Sequence, residues 1–286
     1  MRWQNGRKSN NVEDRRGMRI PGGAKGGGIG ILLLALVGMY FGVDPSMIMN
    51  LGGAIQNEPA SQSSQPYQAT AEEQEQAAFV SVVLADTEDV WNQVFKERGM
   101  SYQEPNLIMF SGSVKSACGL AQAAMGPFYC PADHKVYIDL AFYKELQDNL
   151  HSPGDFARAY VVAHEIGHHV QNLLGISNKV NMARQRLSKT EYNKVSVRME
   201  LQADCFAGVW TNRADRMRGI LEPGDIQEAM NAASNIGDDR LQQQSRGYVT
   251  PDSFTHGSSA QRMHWFNQGY KTGDINQCNT FETMNL

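Results

Sequence analysis

Ala163-His164-Glu165-Ile166-Gly167-His168-His169 is the stretch from which the fold is read, because it spells H-E-x-x-H inside a helix-forming run. Residues four apart share a helix face, so His164 and His168 can offer ring nitrogens to one metal ion. Glu165, one step round, can reach a water at the open position of a catalytic zinc. The surroundings agree with a helix. Ser152 is the expected N-cap, Pro153 the first helical residue and Asp155 the partner in a capping box. Ala157, Tyr160, Val161, Ile166, Val170 and Leu174 recur at helical spacing, and Gly175 is the expected stop. Two histidines inside so apolar a helix would be costly to bury without a metal or hydrogen bonds. A zinc hydrolase, foremost a peptidase, is the reading.

The third ligand decides the class. Gln171 and Leu174 stand where a metzincin needs Gly and His, which excludes that branch. An acidic ligand from a second helix is the remaining common solution. Val197–Trp210 reads as that helix, with Glu200 and Asp204 four apart and the small residues Ala207 and Gly208 permitting close approach. Glu200 is the expected zinc ligand. Asp204 is expected to accept a hydrogen bond from the second ring nitrogen of a ligand histidine, fixing its tautomer. Most acidic pairs at this spacing are solvated stripes, but the flanking Leu201, Phe206, Val209 and Trp210 argue for burial. Glu191 and Asp215 are the alternative ligands. Hydrolysis also needs a donor to the developing oxyanion, and His256 and Arg262 are the candidates, with Tyr248 in reserve. Against this, His256 would serve equally as a cap for a helix starting near Ser258, and Arg262 as the partner of an acid.

The 286 residues carry a net charge of −4, unevenly placed. Residues 1–25 hold seven basic and two acidic side chains, +5, leaving −9 for the rest, and nothing in that acidic remainder suggests a nucleic-acid surface. Gly26 to Val43 is free of charge, with Ile31–Val37 at its centre, near the shortest length for a transmembrane helix. Its basic flank comes first, so the positive-inside rule keeps the N-terminus in the cytoplasm and sends the remainder across the bacterial inner membrane, to the periplasm or outside. Beyond that signal-anchor lie all four cysteines, which in an oxidising space suggest two disulfides. Three pairings exist. Cys118 with Cys130 is favoured because Gly119, Gly126 and Pro127 let the chain loop back, which leaves Cys205 to pair with Cys278.

The expected organisation is a basic cytoplasmic tail (1–25), a transmembrane signal-anchor (26–43), a flexible linker rich in Gln, Ser and Pro (44–75) and a metallopeptidase domain (76–286). A helix is predicted from Ala77 to Arg98, strands over Asn106–Phe110 and Lys135–Leu140, and a helix around Asp225–Asn235, with a Gln-rich turn after it at 242–244. The strand before the metal helix is a candidate sheet edge for an extended substrate. The fold class is therefore α+β, mainly helical with a small sheet.

Five segments together resemble a known family: RWQNGRKSNNVEDRRG (2–17), SACGLAQAAMGPFYCPADHKVYIDLAFY (116–143), VVAHEIGHHVQNLLGI (161–176), RMELQADCFAGVW (198–210) and DSFTHGSSAQRMHWFNQGY (252–270). The chain resembles the bacterial neutral zinc metallopeptidases, membrane-anchored and gluzincin-like. The resemblance implies a zincin-like domain and Zn2+ held by His164, His168 and Glu200. It further implies Glu165 as catalytic acid/base, a peptide or protein substrate, and an active-site role for the His256–Arg262 segment. Two other functions compete: a non-catalytic envelope protein stabilised by zinc, and an amidase acting on a cell-wall peptide. An intact Glu165 and no fourth protein ligand in the motif favour catalysis.

Overall fold

The computed structural model describes residues 1–18, 67–122 and 126–282, and these form a mainly helical α+β fold. Strands β1 (Val12–Asp14), β2 (Asn106–Phe110), β5 (Phe128–Cys130) and β6 (Lys135–Asp139) make one sheet in the order β1-β2-β6-β5. The first two pairings are parallel and the last antiparallel, with Val12 opposite Leu107, Ile108 opposite Tyr137 and Tyr129 opposite Val136. Strands β3 (Ser113–Ser116) and β4 (Gly119–Gln122) form a separate hairpin. The strand expected over Lys135–Leu140, half-buried and a candidate sheet edge, is β6. It is interior, with Val136 to Asp139 all buried between β2 and β5, so among the described strands the edges of this sheet are β1 and β5.

Helix α1 (Ala71–Glu97) begins at a Thr70–Glu73 capping box, and its C-cap, Arg98, is succeeded by Gly99 at φ +69. Residues 71–75, expected to end a linker, are therefore its first turn. Residues 1–18 are no free tail either. Trp3 packs edge-on against Phe79 at 5.4 Å, β1 joins the sheet, and Arg7 pairs with Glu88 at 2.9 Å and Asp89 at 2.8 Å. Two further arginines of this segment also answer acids: Arg15 bonds Glu13 and Arg16 bonds Asp14. The predicted span, 26–43, lies outside the described residues. Among those described, no helix is long and apolar enough to cross a membrane.

After β6 come α2 (Ala141–Asp148), α3 (Asp155–Leu173), α4 (Ile176–Arg184), α5 (Lys189–Arg218), α6 (Asp225–Asn235), α7 (Asp238–Arg246) and α8 (Ser259–Thr272). The metal-motif helix α3 does not use the expected cap. Gly154 is its N-cap, and the backbone N–H of Phe156 donates to the Glu228 carboxylate of α6 at 3.0 Å, while the Ser152 hydroxyl turns to Leu150 O. A neighbouring helix supplies the acceptor that local sequence was expected to provide. The Gln-rich stretch 242–244 is helical, inside α7, rather than a turn.

The core is filled by Trp91, Trp210, Phe156, Phe206 and Tyr160, with Phe156 stacked on Trp210 and Trp91 edge-on to Phe206. Both expected disulfides are present, Cys118–Cys130 closing the loop ahead of β5 and Cys205–Cys278 tying the C-terminal segment to α5. Helices α5 and α8 meet backbone to backbone. A Cβ added at Gly208 would fall 2.0 Å from Phe266 O, and one at Gly269 1.9 Å from Cys205 O. Alanine gains about 1 kcal/mol in helix propensity over glycine, but that contact is with backbone and cannot yield without separating the helices. Gly208→Ala should therefore lower unfolding free energy by roughly 1–3 kcal/mol, seen as a reduced denaturant midpoint at unchanged m-value.

Candidate metal centre

Two helices build the site. On α3, His164 and His168 lie one turn apart on the same face, with ring centroids 4.8 Å apart and planes perpendicular. On α5, Glu200 faces them. The approach is close because Gly167, between the histidines, leaves room for the other backbone: an added Cβ would sit 3.0 Å from Ala203 O and 3.1 Å from Ala203 Cα. Glu200 Oε2 is 3.1 Å from His164 Nε2, and Glu200 Oε1 is 3.5 Å from His168 Nε2. One ligand atom from each of the three residues lies within 4.8 Å of the others. Donors about 2.0–2.1 Å from a tetrahedral zinc stand roughly 3.4 Å from one another, so the spacing suits that ion.

The hydrogen bonds behind the rings make the same point chemically. His164 Nδ1 lies 2.8 Å from the Asp204 carboxylate and His168 Nδ1 lies 2.9 Å from the Gln171 amide oxygen. Both partners only accept, so both Nδ1 atoms carry the proton, and in neutral rings both Nε2 atoms present lone pairs. Those lone pairs converge on another acceptor, the Glu200 carboxylate. Only a cation, or protons on the rings, makes the cluster attractive. Burial opposes charging His164, yet Asp204 and Glu200 outweigh it and lift its pKa to about 10 when only a proton is available. Binding a metal at this centre therefore displaces protons.

Asp204 is the hub behind the site. Fully buried, it accepts from His164, from Tyr160 Oη at 2.5 Å, and from Arg262 through Nε at 2.8 Å and Nη2 at 2.9 Å. Burial alone would raise its pKa; the charges of Arg262 and His164 bring it to about 2. Of the two expectations for Arg262, oxyanion donor or partner of an acid, the pairing with Asp204 is the second. Arg262 is 2% exposed and lies on the Nδ1 side of His164, away from the metal-facing nitrogen, so it orients Asp204 and cannot meet a substrate oxygen.

His256 is placed differently. Its Nδ1 lies 3.2 Å from Asp238, whose carboxylate also accepts the His256 and Gly257 backbone N–H groups, and its side chain is half-exposed. It does not cap α8, a role taken by Ser258 in a capping box with Gln261. Desolvation opposes charge on His256, but the Asp238 hydrogen bond and the nearby Glu200 charge raise its pKa. Glu165 is buried and its pKa is raised by that burial, the two neighbouring imidazoles offsetting part of the effect. The alternative ligands Glu191 and Asp215, and the reserve oxyanion donor Tyr248, have other surroundings. Glu191 belongs to the capping box of α5, Asp215 accepts the Leu221 backbone N–H, and Tyr248 stands exposed with Arg246 over its ring.

Several contributors are not evident from sequence. Tyr160 has the pattern of a core residue, yet it stands four residues before His164, the spacing that lets both reach Asp204. Gln171 is three residues after His168, and its sequence position speaks only against a metzincin. His169 turns away from the centre: its Nε2 donates to Gln103 O at 2.6 Å, and its Nδ1 accepts from the Tyr129 hydroxyl at 3.0 Å, whose oxygen in turn accepts from Asn172 Nδ2. Burial holds its pKa near 4, so it is neutral, and it braces β5 against α3.

Known proteins are similar to this chain over most of its length. Residues 1–281 match the family described as "Putative neutral zinc metallopeptidase". Uncharacterized protein YpfJ of Escherichia coli K12 is 52% identical over 292 residues, covering 98% of this chain and 99% of its own. Uncharacterized protein Rv2575 of Mycobacterium tuberculosis H37Rv and Uncharacterized protein Mb2605 of Mycobacterium bovis are each 44% identical over 218 residues, 73% of either chain. No solved structure matches.

Glu200→Gln keeps the shape of the side chain but removes its charge, and should weaken zinc binding by at least the roughly 10–100-fold seen for altered supporting groups. Glu191→Gln should leave it unchanged. Competition against a chromophoric chelator measures both.

Proposed function

The chain belongs to the neutral zinc metallopeptidase family, and we propose that it hydrolyses peptide bonds at the His164–His168–Glu200 centre of a zincin-like, gluzincin-type domain. Zinc is the cofactor that membership in this family implies. The observation that carries the proposal is the convergence of two Nε2 lone pairs and one carboxylate beside a buried Glu165. When bound, zinc supplies Lewis acidity to a water and to the scissile carbonyl.

The chain's own residues supply the rest. Glu165 takes the proton of the attacking water and returns it to the departing amine, a role suited to a carboxylate whose pKa burial has raised. Glu200 and the two imidazoles hold the ion, while Asp204 and Gln171 keep each ring turned with Nε2 inward. His256, its pKa raised and its ring fixed by Asp238, donates to the oxyanion. Edge strand β5, braced to α3 through Tyr129 and His169, pairs only with β6 among the described strands and is available to an extended peptide. A groove of about 310 Å³ between α5 and the 251–258 segment, with Val197 and Phe254 as its apolar wall and Lys194 at its side, begins one turn before Glu200 and suits a substrate side chain.

Glu165→Gln should keep about one zinc per chain while lowering turnover of a cleavable peptide by roughly 10²–10⁴-fold. His256→Ala should cost about 10²–10³-fold in kcat with folding and zinc content intact. Metal analysis alongside a peptide-library assay provides the check. Undiminished turnover in Glu165→Gln, or a zinc-loaded wild-type protein that cleaves no peptide, excludes the mechanism.

A further inference from the structure

We infer that residues 1–18 and the metallopeptidase body occupy the same side of the membrane, so that the chain between Met18 and Tyr67 does not make a single crossing. The sequence alone points the other way, with a basic tail left in the cytoplasm and the domain beyond. The structure leaves no room for that separation, because the N-terminal segment completes the domain.

Three observations carry the inference. First, β1 is an integral strand: it pairs with β2 over three residues, and the ladder is extended by Leu107 N donating to Asn11 O and Arg15 N to Met109 O, each at 2.8 Å. Second, the buried carboxylate of Glu88 on α1, 1% exposed, takes its hydrogen bonds from this segment: Arg7 Nη2 at 2.9 Å, Ser9 Oγ at 2.5 Å and Asn11 Nδ2 at 2.8 Å. With the segment in another compartment, those partners would be gone and a buried charge left bare. Third, the chain leaves and re-enters at one spot. A Cβ added at Gly17 would fall 2.2 Å from Tyr67 Cβ, the Arg16 guanidinium lies 5.8 Å from the Tyr67 ring centre, and Arg16 Nη1 donates to Glu73 O at 2.9 Å.

Two stems in contact on one surface require an even number of crossings between them. Each crossing by a helix takes about 20 predominantly apolar residues. The intervening sequence holds one such stretch, 26–43, whereas residues 44–66 include Asp44, Glu58 and a run of Ser and Gln. A single crossing by the 26–43 stretch alone would put the two stems on opposite sides, which their contacts forbid. Four of the seven basic residues that suggested cytoplasmic retention have other work: Arg7, Arg15 and Arg16 pair with carboxylates and Arg2 donates to Gly219 O.

Lys8→Cys and Lys189→Cys place single thiols at exposed positions on the two parts of the full-length chain, whose own four cysteines are all disulfide-bonded. Labelling whole spheroplasts with a membrane-impermeant maleimide, before and after permeabilisation, should give the two sites the same accessibility. Opposite accessibilities overturn the inference. A second variant tests the adjacent stems: residues 19–66 replaced by a Gly/Ser linker of about eight residues, which reaches roughly 16 Å. It should fold with an unchanged zinc content and a melting temperature within a few degrees of the full chain. Failure of this chain to fold, under conditions where the full chain folds, also overturns the inference.

Discussion

The site depends on one close approach, that of α3 to α5 where Gly167 faces Ala203. A larger residue at 167 would push the helices apart, and the imidazoles of one would no longer reach the carboxylates of the other. Because the backbones nearly touch, Glu200 and Asp204 arrive on opposite nitrogens of the same ring, His164 Nε2 and Nδ1. One helix pair thus supplies both ligands and the group that orients them. The second close contact, Gly208 and Gly269 between α5 and α8, brings Arg262 to Asp204 from a third direction.

Asp204 illustrates how a buried charge is tolerated. Its neighbours are a guanidinium, an imidazole and a phenol, all buried and all able to donate, and the phenol ring packs edge-on against Phe266. Such an ion pair adds little net stability compared with a well-packed apolar substitute. Its use is geometric: a carboxylate held at three points fixes His164 in one tautomer and one orientation, which a metal ligand requires.

Charge distribution along the chain acquires a different meaning once the fold is known. The +5 of the first 25 residues and the −9 of the remainder look like two independent parts with different destinations. In the folded protein the two parts meet where Arg7 pairs with Glu88 and Asp89, while Arg15 and Arg16 pair with Glu13 and Asp14 inside the first segment. The disulfides work to the same end at the other terminus, where Cys205–Cys278 and the Gln202 amide donating to Cys278 O hold the last residues against α5.

Much of the centre was legible because helical periodicity is local: His164, Glu165, His168, Glu200 and Asp204 are related by spacings of one and four, which set their faces before any packing is known. The same holds for the strand over Asn106–Phe110, the helix over Asp225–Asn235 and the α+β class. What packing alone decided were relations between distant segments. Arg262 became a buried brace because α8 presses on α5; β6 became interior because β5 covers it; Glu228 replaced Ser152 at the start of α3; and residues 1–18 joined the sheet across nearly 100 positions of chain. Pattern along a chain records which way a side chain faces within its own element. It carries no record of which other element will arrive there, since that depends on the shape and burial of the whole.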